Sequence, residues 1–413
     1  MSRHLALLRR YPLFRRLWVG GTVSQLGDWL SYVAVSLLAI DQGEGALALA
    51  LVFVAHTVPH VAAAPVAGWL ADRLDRRALV VGVNVAQVFV TTAMAVAALM
   101  SSLAWVQALL LLRVGLGALE LPARGALLRR FVDRQDVLAA NAFASATWSA
   151  VFSLGTAAGG LLALLGPAWA IALDAVTFAV AALVLSGLPA QPPAERAVPA
   201  GRWQTVREDA SAAFATLRER PQLAGAVFAK APLALMGGAG WVVLNLVGAE
   251  LALFGGAAIG LGALHGLRGV AMGAGPLAAE ATIARGADRE RTWTWAVLLG
   301  GAGVLGLGLA GATSWAALAV LAWGLGSSVN WVLSSADLQV HAPDRVLGRL
   351  GAVDDLSQTL ASSASALAAG LALDAGAGFT AVAGIAAVSG VASWVALRAL
   401  TAPAGRSPSW SAS

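Results

Sequence analysis

In a chain that is 59% hydrophobic and only 12% charged, a few ionisable side chains fall deep inside apolar runs. Each costs about 2.5–3.5 kcal/mol if its run lies in a bilayer, so each calls for a chemical reason. Asp28, beside Gln25, stands about 14 residues into the first run, roughly 21 Å deep in a helix. Facing a watery cavity, a carboxylate there can bind a proton or a cationic substrate; facing a neighbouring helix, it serves as a structural hydrogen-bond partner. Arg113, in "LLLLRVGLGALE", does not lose its proton. It is either a fixed charge that tunes a nearby carboxylate or one member of a buried ion pair that holds helices together. Glu120 follows seven residues later, two turns away on nearly the same face, and meets Arg113 only if both side chains reach toward each other. His56 and His60, in "HTVPH", share a face at i and i+4. They suit helix packing or a cavity wall that meets protons or substrate, and no acid on the helix completes a metal site. His265 and Arg268 share a face at i and i+3, fit for an anionic group or for an acid from the first half of the chain. Asp174 reads as shallow and structural, and Lys230 as a helix-end lysine able to snorkel.

The elements that position these groups are long apolar helices. About 20 apolar residues cross a bilayer, and the mean hydropathy is +0.76. Hydropathy windows place spans near 14–40, 46–71, 78–100, 104–122, 137–165, 168–188, 223–248, 257–283, 292–312, 315–336, 349–372 and 377–399. The basic N-terminal stretch runs into the first span without a small-residue cleavage site, so a membrane helix fits it better than a removed signal. One polar stretch interrupts the series between spans six and seven. Its Pro-rich start reads as a linker, and 202–220 as an amphipathic helix at the membrane surface. The domain expectation is therefore a first half over 1–188, a linker over 189–222, a second half over 223–400 and a tail over 401–413.

Charge sets the orientation. Arg73, Arg76, Arg77, Arg129, Arg130, Arg134, Arg285, Arg289, Arg291, Arg345 and Arg349 fall in loops on one side, whereas the opposite loops carry only acids such as Asp41, Glu44 and Glu250. The positive-inside rule then puts both termini in the cytoplasm, facing anionic lipid headgroups. Trp105, Trp169 and Trp315 mark outer helix ends, and Trp293 and Trp295 an inner one. The pI of 10.8 comes from arginines dispersed among loops rather than gathered in a stripe, so no nucleic-acid partner is expected. There is no cysteine, hence no thiolate metal or redox chemistry. No Walker loop or nucleophile–base constellation is present, so neither an enzyme nor a cofactor is expected.

The densest charges lie in "GWLADRLDRR", between spans two and three. Gly68, Asp72, Arg73, Arg76 and Arg77 resemble the loop 2–3 signature of the major facilitator superfamily, with Asp75 where glycine is usual. Arg113 resembles the arginine of that family's signature in span four. The stretches 14–38, 121–149 and 338–355 are similar to the macrolide-efflux and enterobactin-exporter-like group of proton-driven exporters. Antiporters of the family often carry Gly-Pro in the fifth helix; here "SLGTAAGG" has Thr156 in place of proline. The resemblance implies an all-α membrane fold of twelve transmembrane helices in two pseudo-symmetric six-helix bundles. It also implies that Gly68 lets helices two and eleven approach, and that the loop arginines pair with Asp354 and Asp355 to latch the cytoplasmic gate. The implied function is proton-coupled export of a small organic compound across a bacterial cytoplasmic membrane. Uptake of a nutrient, or a receptor or scaffold without transport, remains an alternative.

Overall fold

The computed structural model describes residues 3–192, 202–251 and 256–401. The start of the expected linker, 193–201, and the tail from 402 lie outside them. Every regular element among the described residues is helical. A short helix α1 (Arg3–Arg10) precedes α2 (Pro12–Asp41), α3 (Gly45–Arg73), α4 (Arg76–Leu99), α5 (Leu103–Phe131), α6 (Val137–Leu162) and α7 (Pro167–Ser186). After α8 (Arg202–Glu219) and α9 (Pro221–Val227) come α10 (Ala231–Glu250), α11 (Ala257–Ala284), α12 (Arg289–Gly308), α13 (Thr313–His341), α14 (Asp344–Asp374) and α15 (Phe379–Thr401). Among the described residues, ten helices are long and apolar enough to cross a membrane. Helices α11 and α12 have comparable length and are not among the ten; α11 carries His265, Arg268 and Glu280, and α12 opens on Arg-Glu-Arg.

The helices are apolar outside as well as inside. Phe89, Leu99, Trp105, Leu183, Leu277, Ile385 and Val388 are all well exposed. Water would tolerate such a surface poorly, whereas lipid is its natural solvent. Trp105, Trp169 and Trp315 are exposed at helix ends, as interfacial tryptophans should be. Trp293 departs from that expectation. It is buried, donates to Asn330 Oδ1 at 2.5 Å and stacks near Trp394, so it belongs to the packing between helices. The expected surface helix forms as α8, and it packs on α14, α9 and α3, with Ala213 buried in a cluster with Leu223, Val227 and Leu350.

Packing follows one scheme twice. Helix α2 packs on α7 and α6, α4 on α7 and α5, and α3 on α5. In the same chain order, α10 packs on α15 and α14, α12 on α15 and α13, and α11 on α13. The two sets meet along α6 with α11 and α3 with α14. Both seams are tight toward one end, whose connections carry no lysine or arginine; we call it the sparse end and its opposite the basic end. A Cβ added at Gly160 would come within 2.4 Å of Ala258 O, and one at Gly370 within 2.8 Å of Leu47 Cα. At the sparse end Asp374 also caps α3: its two oxygens accept from Ala46 N at 2.6 Å and Leu47 N at 3.0 Å. Toward the basic end the α3–α14 pair parts. A Cβ at Gly68, Gly348 or Gly351 would meet nothing within 4 Å, and Asp72 and Asp355 are exposed. The two helices are thus in close contact at the sparse end, while at the basic end these glycines and acids border open space.

A carboxylate on a helix N-terminus is worth about 1 kcal/mol. Asp374→Ala should therefore loosen the closed end roughly five-fold. In a background without native cysteines, Ala50→Cys, buried in this seam, should resist a maleimide and react several-fold faster once Asp374 is replaced. Equal rates would remove Asp374 from the closure.

Candidate functional site

A buried charge cluster is assembled from three helices that meet near mid-depth. Asp28 lies midway along α2, Arg113 within α5 and Asp174 within α7. Arg113 has no exposed side-chain surface, and one of its nitrogens, Nη1, serves both acids: Asp28 Oδ1 at 2.8 Å and Asp174 Oδ2 at 2.5 Å. The same nitrogen lies 3.3 Å from Ser31 Oγ. Asp174 is sealed, while the Asp28 side chain keeps 31% of its surface exposed. Asp174 is thus a correction to the sequence expectation, since it belongs to the central cluster. Gln25 lies one turn from Asp28 toward the basic end, half-buried.

Glu120 does not reach Arg113. Arg124, on the next turn, takes it at 2.6 Å, and Asn84 of α4 donates to its other oxygen at 2.8 Å. Gln87, one turn along α4, donates to the Arg113 carbonyl at 3.3 Å. Two buried charge clusters are therefore joined by a short polar seam through the interior of the first set of helices.

A second group is aromatic. Trp241 of α10 donates its indole N–H to the Tyr32 hydroxyl of α2. Its ring also lies 5.3 Å from Phe53, 5.0 Å from His265 and 6.2 Å from Phe152. Residues of α2, α3, α6 and α11 thus converge on one indole where the two sets of helices meet. His56 packs on Trp29 and Tyr32, with centroids at 5.1 and 5.2 Å. Phe53, His56 and His60 form one stripe at i, i+3 and i+7, so the exposed His60 continues the stripe beyond the aromatic group, toward the basic end. His265 Nε2 and Asn245 Oδ1 share a hydrogen bond of 2.8 Å. Arg268 lies against the Trp241 and Trp323 rings, which are perpendicular to each other, 4.6 and 4.0 Å from their centroids. Among the described residues, no three metal-ligating side chains come together.

The expected cytoplasmic latch is not made in this conformation. Asp354 pairs with Lys230 at 2.5 Å, while Asp355 accepts from Gln358 at 3.0 Å. Lys230 is buried under the Trp331 ring, so it does not snorkel. Arg77 donates to the Ser186 carbonyl at 2.6 Å, Arg73 lies over the Trp69 ring, and Asp75 caps α4 through Ala78 N at 2.8 Å. Arg76 hydrogen-bonds through its backbone to Gln191 O at 3.0 Å. Gly68 is not in contact with α14, for the reason given above. Gly155 and Gly159 press against α2, while Gly160 presses on α11, so "SLGTAAGG" packs two different helices with adjacent glycines.

Residues 17–366 match the family model described as Major Facilitator Superfamily. The chain belongs to that superfamily. Over 75 residues this facilitator is 39% identical to the Uncharacterized MFS-type transporter YfiS of Bacillus subtilis (strain 168), and the match spans 16% of this chain and 18% of that relative. Its fold is similar to that of an auto-inhibited POT family peptide transporter, with a TM-score of 0.74 at 13% identity, covering 97% of this chain and 99% of that one. It is also similar to a mutant of the nucleoside transporter NupG, with a TM-score of 0.75 at 12% identity, covering 94% and 99%. Likeness at such identities speaks for the fold alone. The facilitator is thus an MFS-type transporter with several membrane-spanning helices.

Tyr32, Trp241, Trp323, Asp374 and the Lys230–Asp354 pair were not singled out from the sequence as partners. Tyr32 carried a weak signal: it is one of two tyrosines and lies one turn beyond Asp28. The tryptophans gave none, because a chain with 15 of them, most in apolar runs, does not reveal which face inward.

Removing one partner of a buried pair costs about 3–5 kcal/mol, chiefly by stranding the other charge. Arg113→Met strands two carboxylates, whereas Asp174→Asn leaves one pair intact. Thermal unfolding in detergent should show the larger loss for Arg113→Met and partial recovery when Asp28→Asn and Asp174→Asn are added to it. A variant Arg113→Met as stable as the parent would contradict the ion-pair geometry.

Proposed function

We propose that this facilitator is a proton-coupled exporter of a small organic compound that works by alternating access. Its twelve long helices act as membrane spans in two six-helix halves, and both termini face the cytoplasm of a bacterial cell, across the cytoplasmic membrane. The repeated packing scheme supports the two halves, and the one-sided arginine loops support the orientation. The resemblance of 14–38, 121–149 and 338–355 to the macrolide-efflux and enterobactin-exporter-like group supports export.

One observation carries proton coupling: two carboxylates share one buried guanidinium. With both acids ionised the trio holds a net negative charge in a low-dielectric interior, and one bound proton neutralises it. Asp28, partly exposed, is the member a proton can reach, and Arg113 and Asp174 hold the remaining balanced pair. Gain or loss of that proton changes the hold of α2 on α5 and α7, which is a force the two halves can convert into rocking. In this cycle the loop arginines close the basic end on Asp354 and Asp355 when the sparse end opens, and Asp72 accepts from a helix start or a basic residue. Gln25, His56, His60, His265 and Arg268 line the route, and Glu120 with Arg124 lies between the trio and the basic end.

A growth screen of a deletion strain against toxic organic compounds identifies the cargo, and everted vesicles then test coupling. Uptake of that compound should depend on an imposed pH gradient. Asp28→Asn should reduce gradient-driven transport by about tenfold or more, equivalent to ~1.4 kcal/mol of lost coupling, while inserting normally. Full gradient-driven activity in Asp28→Asn would reject this assignment.

A further inference from the structure

Every other cation well inside the helices has an acid. Arg113 has Asp28 and Asp174, Arg124 has Glu120, and Lys230 has Asp354. Arg268 is the exception among the described residues. It is only 7% exposed, sits near the middle of α11, and makes neither an ion pair nor a hydrogen bond to any described residue. Its Nε is buried without a partner. What it has instead is two indole faces, Trp323 and Trp241. The two rings, perpendicular to each other, compensate part of the guanidinium's charge but supply no carboxylate or carbonyl acceptor for its N–H donors. In-plane donors in a fixed fork match a carboxylate edge-on, in two parallel hydrogen bonds.

The surroundings limit what else the ligand contains. Trp241 is the indole on which Tyr32, Phe53, Phe152 and His265 converge, so the surroundings of Arg268 are aromatic. His265 contributes no charge partner, because its Nε2 is engaged with Asn245 and its Nδ1 is buried without one. We propose that Arg268, held against the Trp241 and Trp323 rings, is an anion site, and that the facilitator's cargo is a monoanion with a planar apolar body, such as an aromatic carboxylate. The missing counter-ion of Arg268 is the cargo's own charge. This selectivity rests on the transport function proposed above only in that the bound compound is also the transported one; binding itself can be measured apart. It is also opposite in sign to what the Asp28 carboxylate alone would attract, and in the cycle proposed above that acid takes a proton.

Calorimetric titration of the full chain in zwitterionic-lipid nanodiscs, with empty nanodiscs subtracted, tests the site using three compounds of one shape. These are 1-naphthoate, neutral 1-naphthylmethanol and cationic 1-naphthylmethylammonium. Naphthoate should saturate a single site at least about tenfold more tightly than either of the others. Arg268→Gln should abolish that preference, and Arg268→Lys should keep part of it. Equal binding of the alcohol or the amine, unchanged naphthoate affinity in Arg268→Gln, or no saturable naphthoate binding would each overturn the proposal. If Arg268→Gln does not fold, the three-compound series on the parent protein decides the matter alone. Naphthoate that binds as expected but does not move in vesicles under any gradient would sink the transport function and leave the anion site standing. Gradient-driven transport of a cation with no carboxylate binding would do the reverse.

Discussion

A guanidinium with no exposed side-chain surface, set at mid-depth in an apolar bundle, has to be matched by negative charge, and Arg113 is matched twice. Much of the first half follows from that constraint. Helices α2 and α7 must approach α5 closely enough to bring both carboxylates to one nitrogen. Gly27 permits the approach of α2 to α7, since a Cβ there would collide with Asp174 Oδ1 at 2.3 Å and Thr177 Oγ1 at 2.0 Å. Because a single cation cannot balance two anions, the arrangement has a built-in vacancy for one further positive charge. A mobile proton fits it, and a second arginine would not.

The second half obeys a complementary constraint. There a buried cation lacks an acid and is flanked by indoles. The two unbalanced sites, one short of a positive charge and one short of a negative charge, lie on opposite sides of the same aromatic junction of Tyr32 and Trp241. Charge delivered to either side changes the balance across the junction that joins the halves. Close glycine contacts and a capped helix end hold the sparse end shut, while the same helix pair stands apart at the basic end with its charged residues exposed.

Much of this was legible in the sequence, for physical reasons that differ by element. The membrane helices were readable because lipid demands long apolar segments, and the boundaries of α2 through α7 fall within a few residues of the expected spans, except that α5 runs on to Phe131 past the span expected to end at 122. Asp28 and Arg113 were readable because a charge in an apolar run is conspicuous. Their partnership with Asp174 was not, since depth along α7 depends on how the helix sits against its neighbours and a sequence shows only position along the chain. The partner of Glu120 was not legible, because helical spacing places it on nearly the same face as Arg113 without showing that Arg124, one turn on, is nearer. The expected latch of the loop arginines on Asp354 and Asp355 is not made here, because Lys230 takes Asp354 and Arg77 takes the Ser186 carbonyl, partners that a motif in the sequence does not reveal. Lys230 looked like a helix-end lysine; the break between α9 and α10 turns it inward onto Asp354.

The central claim is that Asp28, Arg113 and Asp174 together hold one exchangeable proton. Infrared spectroscopy of the full chain in lipid at neutral pH, before and after hydrogen–deuterium exchange, reads protonated carboxyl groups directly. The account predicts a deuterium-sensitive carboxylic-acid band in the parent protein that disappears in both Asp28→Asn and Asp174→Asn, because either substitution leaves one carboxylate balanced by one guanidinium. A parent spectrum without that band, or a band that survives both substitutions, would contradict it.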